Sequence, residues 1–120
     1  MANLEEMKRL LGQSPLVHRF DIDEEYLKIY TDVLLGVSND YLNVYLIYED
    51  GEWGLSDANN IYAILDDYYS IDEERLIAAG KEAGLICQDY RFLSYPIDEQ
   101  SLIPELEKFA KVVQILTKKN

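Results

Sequence analysis

Polar and apolar residues alternate most regularly from Tyr26 to Leu34, with Leu27, Ile29, Thr31 and Val33 on one side and Tyr26, Lys28, Tyr30 and Asp32 on the other. That period of two predicts a half-buried strand. A second run, Tyr41 to Tyr48, is rich in β-formers (Tyr41, Val44, Tyr45, Ile47, Tyr48) and ends at Asp50-Gly51. Glycine tolerates the positive φ of a tight hairpin turn, so a strand should return after Gly51. Leu55-Ser56-Asp57 then leaves the sheet and offers polar caps to a helix from Asn59 or Asn60 to about Tyr68, with Ile61, Ile64 and Leu65 inward. Upstream, Leu16 to Ile22 reads as a strand and Asp23-Glu24-Glu25 as its turn. Connections this short exclude parallel crossovers, so the expectation is an antiparallel meander of about four strands.

Four-and-three spacing marks the helices. Leu4, Met7, Leu10 and Leu11 share one face behind a capping box at Asn3 and Glu6, and Gly12 stops the turn. Ser14-Pro15 returns the chain to extended structure. Ser70-Ile71-Asp72-Glu73 reads as a second capping box, opening a helix with Leu76, Ile77 and Ala83 on its apolar side, Gly80 as a weak interior point and Gly84 as its stop. Leu85 to Gln88 and Phe92 to Tyr95 form a short two-strand return closed by Pro96. The last helix, about Ser101 to Thr117, carries the stripe Leu102, Leu106, Phe109, Val113 and Leu116, with Pro104 in its first turn and Lys111, Lys118 and Lys119 towards its negative end. The predicted fold is α+β: a small twisted antiparallel sheet with helices packed mainly on one face, in a single domain over residues 1–120.

Charge changes the picture. The net charge is −12, and from Phe20 to Glu107 there are 21 acidic residues against four basic ones. Such a body repels nucleic-acid phosphates and anionic membranes and attracts basic protein surfaces. The bland reading is that acidity only keeps the chain soluble. No apolar run reaches the roughly 18 residues of a membrane helix, and MANLEEMKRLLG lacks the order of a signal peptide, so the expected location is cytoplasmic.

Candidate chemistry is sparse. His18 is the only histidine and Cys87 the only thiol, which argues against zinc and against a nucleophile–base pair. The runs Asp21-Asp23-Glu24-Glu25 and Asp66-Asp67 lack a calcium loop's glycine, and no phosphate-cradling loop is present; no metal, cofactor or catalytic residue is assigned. Asp57 is the acid of most interest, with helix capping weighed against catalysis. Among the ten tyrosines, Tyr26, Tyr30, Tyr41, Tyr45, Tyr68 and Tyr69 exceed what a core usually takes, which suggests a protein-binding surface beside plain packing.

The segment NDYLNVYLIYEDGEWGLSD, followed by a short helix, DEERLIAAGKEAGL, a strand pair and a terminal helix, resembles the bacterial domain-of-unknown-function family numbered eighteen twenty-eight. The match rests on Asn39-Asp40-Tyr41-Leu42, Val44-Tyr45 and Leu55-Ser56-Asp57 and spans about Phe20 to Leu116. Where the family places glycine two residues after the aspartate, Asn59 stands, the next best residue for a left-handed turn. The resemblance implies the fold and an origin in bacteria and their prophages, and no reaction.

The reading that combines these features is a non-enzymatic, acidic protein-binding module of a phage or other mobile element. Its sharpest form is a DNA mimic of anti-CRISPR type, whose carboxylates occupy the basic site of a host nuclease without binding nucleic acid directly. The partner-binding candidates are Asp21, Asp23, Glu24, Glu25, Glu49, Asp50, Glu52, Asp66, Asp67, Asp72, Glu73 and Glu74. The alternatives are an enzyme using acids near Asp57 and an accessory domain with no separate activity.

Overall fold

The computed structural model describes residues 3–22 and 26–118. Helix α1 (Leu4–Leu11) precedes strands β1 (Val17–Ile22), β2 (Tyr26–Leu34), β3 (Tyr41–Glu49) and β4 (Glu52–Ser56). Helices α2 (Asn60–Tyr69) and α3 (Glu73–Ala83), strands β5 (Ile86–Gln88) and β6 (Arg91–Ile97), and helix α4 (Leu102–Thr117) complete the chain. The six strands form one antiparallel sheet in the order β1-β2-β3-β4-β6-β5. The α+β class is as predicted.

The sheet is larger than the expected meander. The two-strand return joins it, because β6 pairs with β4 on one edge and β5 on the other. Pro96 does not end this strand, which runs on to Ile97. The register advances by two residues on β4 (Trp53 to Leu55) and by three on β6 (Ile97 to Ser94). Such a bulge disrupts the ladder locally, so a residue lacking an N–H is accommodated there.

Alternation decides the two faces. Leu27, Ile29, Leu42, Val44, Leu46, Leu55 and Phe92 point into one core with the buried residues of all four helices. The α4 stripe is buried throughout: Leu102, Leu106, Phe109, Val113 and Leu116, joined by Val112. At its C-terminal end the Arg75 guanidinium, from α3, donates to the Leu116 carbonyl at 2.8 Å. Among the described residues no helix covers the opposite sheet face.

Local signals match the structure at most turns. The Asn3 side chain accepts the Glu6 N–H, and Gly12 caps α1. Asp50 (φ 52°) and Gly51 (φ 78°) are both left-handed between the paired Glu49 and Glu52, the two-residue turn that matches strand twist. The capping box at Ser70 is a correction. Ser70 ends α2 in a left-handed conformation, and Asp72 caps α3 by accepting the Arg75 N–H at 2.8 Å. Ile77, expected inward, is exposed, and Ala79 and Gly80 take the buried face instead.

Gly80 is a close-approach position rather than a weak point. A Cβ there would lie 2.9 Å from Phe92 Cε1 and 3.4 Å from Cys87 Cβ. Alanine would gain up to ~1 kcal/mol of helix propensity, against roughly 1–3 kcal/mol for overpacking. Gly80→Ala is therefore expected to lower the urea midpoint, with part of the loss recovered on adding Phe92→Leu. A raised midpoint would mean that the ring yields freely.

Candidate partner-binding surfaces

Asp57 leaves β4 facing inward and is fully buried. Its Oδ1 accepts the Phe92 N–H at 2.8 Å and the Asn59 N–H at 3.3 Å, and its Oδ2 accepts the Ile61 N–H at 2.9 Å. Its own N–H donates to the Phe92 carbonyl at 3.2 Å. One carboxylate thus caps α2 and ties β6 to the end of β4. The approach requires left-handed backbone at Ala58 (φ 51°) and Asn59 (φ 71°). Burial pushes the Asp57 carboxyl above its ordinary value, and backbone N–H donors, that of Phe92 foremost, pull it part of the way back. Its geometry is that of a structural hub.

Other reactive groups stand apart from it. His18 is exposed on β1, with its Nδ1 3.4 Å from Asp32. Cys87 is half-buried against the core, and burial, with the charges of Asp57 and Glu73, raises its thiol pKa and keeps it protonated. A groove of about 520 Å³ beside Val33 and Lys111 and another of about 350 Å³ beside Ile47 and Tyr95 are lined by none of these three residues. Among the described residues no group of three or more histidines, cysteines or acids is placed to hold a metal, and no helix is long and apolar enough to cross a membrane.

Apart from Asp21 on β1, the acidic candidates among the described residues fall into two groups at opposite ends of the sheet. Glu49, Asp50 and Glu52 surround the β3–β4 turn, where the Tyr95 hydroxyl donates to the Glu49 carbonyl at 2.9 Å. Burial, then the charges of Asp50, Glu52 and Glu49, raise the Tyr95 phenol pKa. The second group lies where α2 meets α3. The Tyr62 and Tyr90 rings meet there at a tilt of 43° with centroids 4.7 Å apart, and burial followed by Asp66, Tyr90 and Glu73 raises the Tyr62 phenol pKa. Tyr90 belongs to the β5–β6 turn, at the end of the sheet away from Gly51 because β4 and β6 are antiparallel.

Not every candidate is free to serve a partner. Asp21 is 3.0 Å from the Arg19 guanidinium and opposite Lys28, so its charge is compensated. Asp72 is occupied as a cap, and one oxygen of Asp66 accepts the Ile71 N–H at 2.9 Å. Glu73 and Glu74 lie in the first turn of α3, where the helix dipole favours them. Asp23, Glu24 and Glu25 lie outside the described residues. Among the described residues no cation lies within 4.0 Å of Glu49, Asp50, Glu52, Asp66, Asp67, Glu73 or Glu74.

The uncovered sheet face carries the tyrosines. Tyr26 and Tyr45 meet edge to face at 5.0 Å. Arg19 sits 3.9 Å over the Tyr30 ring and Lys28 4.9 Å over it. Tyr41 is exposed at the start of β3, on the same side as Tyr45 by alternation; Tyr68 is exposed on α2, while Tyr69 packs against Gly36. The residues that sequence reasoning missed are Gly54, Ile86, Leu93 and Tyr95, which line one groove with Ile47. Their common face follows from the β4–β6 pairing, which no local pattern announces. Arg19 with Asp21 was detectable, since two residues apart on a strand share a face.

Comparison with known protein families, with curated proteins and with solved structures found no match.

Proposed function

We propose that this protein is a non-enzymatic protein-binding module whose carboxylates engage the basic, nucleic-acid-handling surface of another protein. In its sharpest form it is a mobile-element inhibitor that holds the DNA site of a host defence nuclease. The observation that carries the reading is the pair of acidic groups at the two ends of the sheet, without a cation within 4.0 Å among the described residues. Glu6 with Arg9 and Asp21 with Arg19, by contrast, are paired within the chain. Uncompensated charge raises the encounter rate with an opposite surface and repels DNA itself.

A partner captured from host lysate provides the test. Asp66→Lys with Asp67→Lys, and separately Glu49→Lys with Glu52→Lys, should slow its association by about tenfold or more at low ionic strength. The effect should shrink as salt shortens the screening length towards about 8 Å, and competing DNA should displace the protein. Exposed charges contribute little stability, so melting of the Glu49 and Glu52 variant should barely move. The Asp66 variant also loses the acceptor of the Ile71 N–H and should melt lower, so its rates are read at a temperature where it is fully folded. Unchanged rates for both variants would remove this reading and leave acidity as a solubility feature.

A further inference from the structure

We propose that the groove on the uncovered sheet face receives an arginine side chain from an extended segment of the basic partner. This rests on the reading above that the partner is basic. Ile47 and Leu93 are half-buried in the groove, Ile86 stands exposed at its outer edge on β5, and Tyr95 forms a wall. A Cβ at Gly54 would come within 2.6 Å of Tyr95 Cδ2, so the missing side chain is what lets the ring lie across β4. The hydrogen bond from its hydroxyl to the Glu49 carbonyl fixes the ring in place. Glu49 and Asp50 stand at the rim.

An apolar surface beside carboxylates without a nearby cation selects its occupant. A wholly apolar side chain would desolvate the acids without pairing them. An anionic one is repelled, and a second copy would bring its own Glu49, Asp50 and net charge of −12. Arginine combines an aliphatic stem with a planar cation that stacks on an aromatic ring and pairs with carboxylates through two donors. The same face already contains that arrangement: Arg19 lies 3.9 Å over Tyr30 and 3.0 Å from Asp21. At Tyr95 the ring and the acids are present, and among the described residues no cation sits over the ring. Lysine, a compact and strongly hydrated charge, fits this geometry less well.

The test is an amide-resolved NMR titration of the intact protein with capped hexapeptides alternating valine with arginine, lysine, glutamine or glutamate. The arginine peptide should shift Ile47, Gly54, Leu93 and Tyr95 saturably, more tightly than the lysine peptide, with no saturable response to the other two. Glu49→Gln with Asp50→Asn should weaken it by about tenfold, which corresponds to 1.4 kcal/mol; asparagine keeps the left-handed turn at position 50. Tyr95→Leu, which keeps an apolar wall, should weaken the arginine peptide more than the lysine peptide.

Equal binding of the glutamine peptide, equal binding of arginine and lysine, or shifts centred on Asp66 to Glu74 would overturn the proposal. So would the same shifts on raising protein concentration alone, which would seat a second copy in the groove. If the peptides fail here while the captured partner still binds with the charge dependence described above, the groove assignment falls and the acidic-module reading stands. If the groove binds arginine and the captured partner ignores every charge reversal, the reverse holds.

Discussion

Phe109→Ala is expected to lower the unfolding free energy by roughly 3–5 kcal/mol. The ring is fully buried near the middle of α4, in the same core as Leu106, Val113, Leu46 and Phe92. Truncation removes apolar surface from the core and leaves a cavity that the surrounding helices and sheet close only in part. Domains of this size retain about 5–15 kcal/mol of net stability, so the variant should unfold at much lower urea and fall close to the limit of folding. Phe109→Leu keeps most of the volume and should lose considerably less. Equilibrium urea unfolding of the three proteins measures both losses. An alanine variant within about 1 kcal/mol of the parent would place this stripe against solvent or a partner instead.

The second large effect is at Asp57, where alanine should cost roughly 2–4 kcal/mol, since two well-formed bonds to a charged acceptor disappear. The buried Phe92 and Ile61 N–H groups are then left without their acceptor. Asparagine in place of the acid keeps the shape but turns an NH2 towards one of those donors, so Asp57→Asn should also destabilise. The pH dependence separates charge from geometry. Burial raises the folded-state carboxyl above its ordinary value near 3.8. Between the ordinary value and the raised one, the folded state binds more protons than the unfolded state. Stability contributed by this group therefore falls as pH rises through that window and is flat above it. The difference between the parent and Asp57→Asn stability curves should be largest in acid and decline across the window. A difference that grows with pH would show that the backbone donors outweigh burial.

Part of the candidate site was legible as charge, but not as pairing. Composition pointed to Asp21, Glu49, Asp66 and Asp72 alike, because a carboxylate has the same sequence signature whether or not it is occupied. The fold then distinguishes them. Asp21 meets Arg19, Asp72 caps α3, Asp66 holds the Ile71 N–H, and Glu49 stands at the rim of a groove. The tyrosines divide in the same way: Tyr26, Tyr30 and Tyr45 share the open face, whereas Tyr69 packs against Gly36.

The sequence by itself determined whatever depends on near neighbours. The alternation of β2, the Asp50-Gly51 turn, the Asn3 cap, the left-handed stop at Gly84 and the buried stripe of α4 are all encoded within a few residues, where propensity and periodicity act. Only the tertiary structure decided what joins distant segments. Asp57 finds Phe92 thirty-five residues later, Gly80 must stay bare to admit that ring, and β6 enters the sheet beside β4 to set Tyr95 across Gly54. Shifting a strand's register by one residue exchanges its faces. The side on which Leu93 and Tyr95 emerge was therefore fixed by long-range pairing and its bulge, which local alternation does not encode.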